Sequence, residues 1–228
     1  MHRIANIILA LSAIFWANTL SGAEIRGQLE LFSAGGGKRL GANELRNAVI
    51  YYIPDGGSSV SAPSKPLTMA TRGKSFEPRV LPIVTGTQIR FPNDDPILHN
   101  VFSVSPGNLF DLGFYRKGDS KTWTFEKSGL VRVFCNVHYS MIGFILVLDT
   151  PFFTKPDSTG AFRLTGLPEG GGTLRIWQER GRRWSQRVSL PLKEQVKARL
   201  EQSRRRPTPH LNKFGKPYKK GRRDERYR

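Results

Sequence analysis

From Glu24 onward, apolar and polar residues alternate in short runs, and clusters of Gly, Pro, Asp or Asn cut the runs apart. Alternation with a period of two marks a strand with one face buried and one face wet. The runs predict strands at 25–32, 46–53, 67–71, 79–83, 87–91, 99–104, 121–126, 130–135, 142–149, 161–165, 173–179 and 184–190. No stretch before residue 190 sustains a helical period. The segment KEQVKARLEQ (193–202) reads as a last strand, with a short helix as the runner-up. Many short strands with frequent turn signals predict an all-β chain built from sandwiches.

Two segments interrupt the pattern. PDGGSSVSAPSKP (54–66) has the composition of a linker, and DTPFFTKPDSTG (149–160) is a turn-rich joint. The N-terminus departs in another way. A basic start at His2 and Arg3 precedes an apolar run from Ile4 to about Ala17, then small residues at Ser21 and Ala23. Residues 1–23 therefore read as a secretory signal peptide cut before Glu24. No later segment is apolar enough to cross a membrane, so an exported, periplasmic protein is expected.

Charge changes the picture at the other end. The chain of 228 residues carries a formal net charge of +18. Residues 196–228 hold thirteen Lys or Arg against three Asp or Glu. With few aliphatic residues and many cations, 202–228 is expected to form a disordered basic tail. A basic surface favours acidic partners or an anionic membrane surface. Nucleic acid fits the charge alone, and export speaks against it.

Candidate chemistry is concentrated in CNVHYSM (135–141). Cys135 is the sole cysteine, so it forms no internal disulfide; burial or metal ligation would protect its thiol in an oxidising compartment. His138 and Met141 follow it at intervals of three. A mononuclear copper site needs a second imidazole. Of the four histidines, His2 leaves with the signal and His210 lies in the tail, which leaves His99. Two histidines, a cysteine and a weak axial methionine make an electron-transfer copper set. Asp94 and Asp95 read as turn residues before His99, and Met69 as core. No triad, phosphate loop or paired-carboxylate site is visible, so an enzyme is not expected.

The order His…Cys-x-x-His-x-x-Met, with Asn100 after the first histidine, resembles the cupredoxins, the blue-copper β-sandwich family, and within it the amicyanin and plastocyanin type. The resemblance covers about 67–149 and extends to bacterial exported cupredoxin-domain proteins labelled "methylamine utilization protein". It implies one type 1 copper held by His99, Cys135, His138 and Met141, with Asn100 tying the two ligand loops together. It also implies a docking rim around an exposed His138, formed by Tyr139 and Ile142. The flanks, IRGQLELFSAGGGKRLGANELRNAVIYYIPDG and TKPDSTGAFRLTGLPEGGGTLRIWQERG, resemble the two halves of a carboxypeptidase-regulatory-like, transthyretin-like sandwich. The expected organisation is a Greek-key cupredoxin at 66–150 inserted into a discontinuous second sandwich, 24–63 with 151–201. In that reading the chain shuttles electrons between redox partners, for example an acidic c-type cytochrome or a dehydrogenase. The alternatives are a copper carrier or a non-redox binding sandwich.

Overall fold

A computed structural model describes residues 22–204 and 211–216. The expected signal peptide and most of the basic tail lie outside the described residues. The first strands are β1 (Ala23–Phe32), β2 (Val49–Pro54), β3 (Leu67–Thr68), β4 (Ala70–Arg72), β5 (Ser75–Glu77), β6 (Val80–Val84), β7 (Thr87–Pro92) and β8 (His99–Ser105). They are followed by β9 (Asn108–Tyr115), β10 (Ser120–Phe125), β11 (Gly129–Phe134), β12 (Ile142–Leu148), β13 (Phe153–Thr154), β14 (Ala161–Leu167), β15 (Gly170–Trp177), β16 (Trp184–Leu190) and β17 (Val196–Glu201). A single helical turn, α1 (Ala42–Leu45), is the one helix among the described residues. The chain is all-β, as the alternation predicts.

The flanking strands form two sheets, β14-β1-β17 and β13-β2-β15-β16. Between them lies one hydrophobic core that includes Ile25, Leu29, Ile50, Tyr52, Leu174 and Leu200. Strands β2 and β15, far apart in the sequence, pair antiparallel with Tyr52 opposite Leu174 and Ile50 opposite Ile176. The chain leaves this sandwich after Pro54 and re-enters beside the same strand. Tyr52 N–H donates to the Phe152 carbonyl at 2.9 Å, and the Thr150 hydroxyl donates to the Tyr52 carbonyl at 2.7 Å.

The intervening strands form a Greek-key β-sandwich. Its large sheet runs β6-β12-β11-β8-β9 and its small sheet β10-β7-β3. Consecutive strands switch sheets: β7 pairs with β10 on one side, while β8 pairs with β9 and β11 on the other. A separate core fills the space between, built on Phe91, Phe125, Val131, Ile145 and Met69, with Cys135 and Met141 at one end.

Strand β12 explains why IGFILVL (142–148) reads as a nearly continuous apolar run. It is buried on both faces, the pattern of an interior strand rather than a half-wet one. Ile145 and Val147 face the core that holds Cys135, and Phe144, Leu146 and Leu148 face a third cluster with Val49 and Val80. That cluster joins the two sandwiches, and Trp177 of β15 lies 5.6 Å from the Phe144 ring. Arg79 reinforces the junction through two donor bonds to Glu179, at 2.8 and 3.0 Å, and one to the Ile142 carbonyl.

Several elements differ from the sequence pattern. Strand β9 is absent from the predicted strands, and it carries Asp111 and Gly113, residue types that strands disfavour. The strand tolerates them through a register shift opposite residues 100–102, with Gly113 at φ +70°. Trp123 lies at the surface of β10 and stacks on Phe110, with ring centroids 5.1 Å apart. Within the stretch expected as a tail, residues 211–216 are described, and Lys213 contacts Asn136 and Asp111 of the inner sandwich.

Candidate metal centre

The site forms where β8 begins and β11 ends. These neighbouring strands place His99 and Cys135 at the same end of the sheet, and the loop 135–141 turns back into β12. The Met141 N–H donates to the His138 carbonyl at 3.0 Å, which closes the loop. Val137 N–H donates to Cys135 Sγ at 3.4 Å. Asn100 joins the two ligand segments: its Oδ1 accepts from Asn136 N–H at 3.3 Å, and its Nδ2 donates to Asp111 and to the Gly113 carbonyl.

Three potential ligand atoms converge. Cys135 Sγ is 3.7 Å from His99 Nδ1 and 3.8 Å from His138 Nδ1. The ligand atoms of all three residues lie within 4.8 Å of one another, and all three residues are buried. Metal–sulfur and metal–imidazole lengths of about 2.3 and 2.0 Å, meeting at about 120°, put Sγ and Nδ1 roughly 3.7 Å apart. The observed spacing therefore suits a trigonal His₂Cys set. The group fits one mononuclear copper site. Met141, the expected axial ligand, is buried in the core that holds Cys135, at the end of the same loop.

The electrostatics agree with a site made for a cation. Burial pushes the Cys135 thiol up, and the backbone N–H groups of Asn100, His138 and Val137 only partly offset this. A metal cation replaces the thiol proton directly, which makes thiolate formation part of binding. Burial also holds His99 below the usual histidine range against the opposing pull of Asp95, so a neutral imidazole is available as a ligand. Tyr115, opposite His99 on β9, is buried beside the pair, and its phenol is raised by burial first and by Cys135 second.

Two sequence expectations need revision. His138 is only 3% exposed, so it does not project into solvent. It lines an apolar pocket together with Ile97, Leu98, Phe114 and Val137. Tyr139 is at the surface, 73% exposed, but Ile142 is half-buried and packs in the cluster between the sandwiches. Sequence pattern does not point to these lining residues: Phe114 sits on the unexpected strand β9, and Ile97 and Leu98 sit in a loop. Asp95 was also missed as more than a turn residue: its Oδ2 lies 2.8 Å from His99 Nε2. A carboxylate four residues before a ligand histidine was the available signal.

The tail segment approaches this same end. Lys213 N–H donates to Asn136 Oδ1 at 3.1 Å, and its Nζ pairs with Asp111 at 2.6 Å and lies 5.2 Å from the Phe114 ring centroid. With the Asp111 side chain 38% exposed, solvent screening leaves this pair worth about 0.5–1 kcal/mol. Lys213→Ala is expected to speed amide exchange at Phe214 by about fivefold. Burial opposes charge on Asp111, but Lys213, Gly113 N–H and Asn100 outweigh it and lower its carboxyl below the ordinary range. A depressed carboxyl contributes above its unfolded value and is lost as pH falls through its folded one. The contact should therefore hold from neutral pH down through the ordinary carboxylate range and release only in stronger acid.

No family model matches the chain, and no curated protein matches it. Solved structures do. A purple cupredoxin from Nitrosopumilus maritimus is 23% identical with a TM-score of 0.34, over 36% of this chain and 99% of its own. A reduced amicyanin mutant is 18% identical with a TM-score of 0.35, over 45% of this chain and 99% of its own. A copper-containing nitrite reductase from Thermus scotoductus is 28% identical with a TM-score of 0.36, over 40% of this chain and 25% of its own. The two-sheet topology and the ligand positions at one end give the ligand-bearing sandwich the cupredoxin type of fold. No helix among the described residues is long and apolar enough to cross a membrane.

Proposed function

We propose that this protein is an exported type 1 copper protein that passes single electrons between redox partners. The observation that carries the reading is the trigonal spacing of three buried ligand atoms, 3.7 and 3.8 Å from sulfur to each imidazole. Copper bound there would supply one-electron exchange between Cu(II) and Cu(I). Cys135 would contribute the thiolate, His99 and His138 their Nδ1 atoms, and Met141 a weaker sulfur contact. Strands β8, β11 and β12 hold these residues in a packed core, so their positions change little between oxidation states. Such preorganisation suits electron exchange better than metal delivery, which needs ligands that open.

The apolar pocket beside His138 is the proposed electron port. Leu98 and Phe114 are about half exposed there, as a transient docking face requires. The net charge of +18 suits an acidic redox partner, and the basic tail would add salt-dependent attraction to that partner or to an anionic membrane surface.

The test is a copper titration of the chain from Glu24 onward. One equivalent of Cu(II) should produce an intense visible thiolate-to-copper band that bleaches on reduction and returns on reoxidation through repeated cycles. Copper uptake without that band, in folded protein, would remove the electron-transfer reading and leave a carrier or a non-redox binding sandwich.

A further inference from the structure

Asp95 is not placed as an ordinary turn residue. It is only 7% exposed, and the histidine it meets is fully buried. Its carboxylate is gripped from the other side by a hairpin tip: Gly73 N–H donates to Oδ1 at 2.7 Å and Lys74 N–H to Oδ2 at 2.9 Å. The tip is a two-residue turn between β4 and β5, with both Gly73 and Lys74 at φ +56°. That left-handed pair turns successive N–H groups outward, toward the carboxylate. The Asp95 N–H in turn donates to Asn93 Oδ1 at 3.0 Å, and Asn93 is itself fully buried, with Nδ2 donating to the Ile97 and Tyr115 carbonyls. The loop from 93 to 98 is thus built to hold one carboxylate oxygen 2.8 Å from His99 Nε2.

The consequence follows from the imidazole. A carboxylate accepts but does not donate, so Nε2 carries the proton and Nδ1 presents its lone pair. Nδ1 is the atom 3.7 Å from Cys135 Sγ. We propose that Asp95 is a positioning residue of the metal centre, which fixes the ligating tautomer of His99 and, through the ring, favours the oxidised dication over the reduced monocation. The inference rests on the copper reading of the site. Its physical ground is that a carboxylate behind a ligand imidazole raises the basicity of that ligand, and the more highly charged metal state gains more from it. Lys74 is the nearby cation that His99 feels in opposition, and its backbone rather than its charge engages Asp95.

Asp95→Asn tests this with little change of shape, because an amide offers one acceptor oxygen to three donors. The expected result is a tenfold loss of Cu(II) affinity relative to Cu(I), read as a reduction potential about 59 mV higher. Asp94→Asn is the control. Asp94 is next in sequence but pairs with exposed Arg72, and its removal should move the potential far less. A second measurement needs no variant: nitrogen-15 spectra of the copper-free protein should find His99 as the Nε2–H tautomer. A folded, blue Asp95→Asn protein with the wild-type potential overturns the proposal, as does a dominant Nδ1–H tautomer. If the wild type takes up no copper, the copper reading itself fails and the proposal falls with it, a result distinct from an unmoved potential.

Discussion

Cys135→Ser protein, given one equivalent of Cu(II), is expected to be folded and to lack the visible band entirely. The band requires a thiolate bonded to the metal. A serine hydroxyl does not ionise near neutral pH, so it supplies neither the covalent bond nor the charge-transfer transition. Its cost to the fold should be small. Burying an unsatisfied hydroxyl costs about 1–3 kcal/mol. Here Ser Oγ would inherit the N–H donors that now face sulfur, among them Val137 at 3.4 Å. His99 and His138 remain, so weak Cu(II) binding should persist with the paramagnetic signature of a nitrogen–oxygen site. Visible absorption, paramagnetic resonance and circular dichroism on the same sample separate these effects. A retained intense band would mean that the thiolate is not the ligand, and the trigonal set would have to be abandoned.

The grouping of His99, Cys135 and His138 could be read from the sequence because its chemistry is local: Cys135 and His138 lie three residues apart, and elimination left one further histidine. Strands with a regular wet face and no interruption are legible, as in β7, where Thr87, Ile89 and Phe91 are buried and Gln88 and Arg90 exposed. What was not legible depends on contacts made at a distance. Strand β9 hides behind Asp111 and Gly113, whose bulge makes sense only against β8. Phe114, which lines the pocket beside His138, comes from that same strand. Asp95 looks like a turn acid until the β4–β5 hairpin, about twenty residues earlier, supplies its two N–H donors. Within the expected tail, composition gives no sign that Lys213 meets Asp111, a partly exposed residue of β9, 102 positions away. Each miss is a non-local partner, and three of the four involve β9.

The second large effect concerns how the two sandwiches share stability. Phe91 is fully buried in the copper-ligand core, 6.3 Å from the Phe110 ring. Phe91→Ala should destabilise that core by about 3–5 kcal/mol, a large share of the roughly 5–15 kcal/mol available to an ordinary domain. The flanking core, on Ile50, Tyr52 and Leu174, makes no use of Phe91. If 66–150 is an insertion, its loss leaves β2 paired with β15 and that core intact. Denaturant unfolding, followed by the copper band and by Trp177 and Trp184 fluorescence in a Trp123→Phe background, should then split into two steps, with the copper band lost first. Leu174→Ala, costing about 2–5 kcal/mol in the other core, should bring the fluorescence transition forward without moving the band equally. The cluster of Val49, Val80, Phe144, Leu146 and Leu148 works against this separation, because unfolding either sandwich exposes the other's half of it. Coincident transitions in both variants would show that this shared surface outweighs the independence of the cores, and the chain would then behave as one cooperative domain instead of a host and its insert.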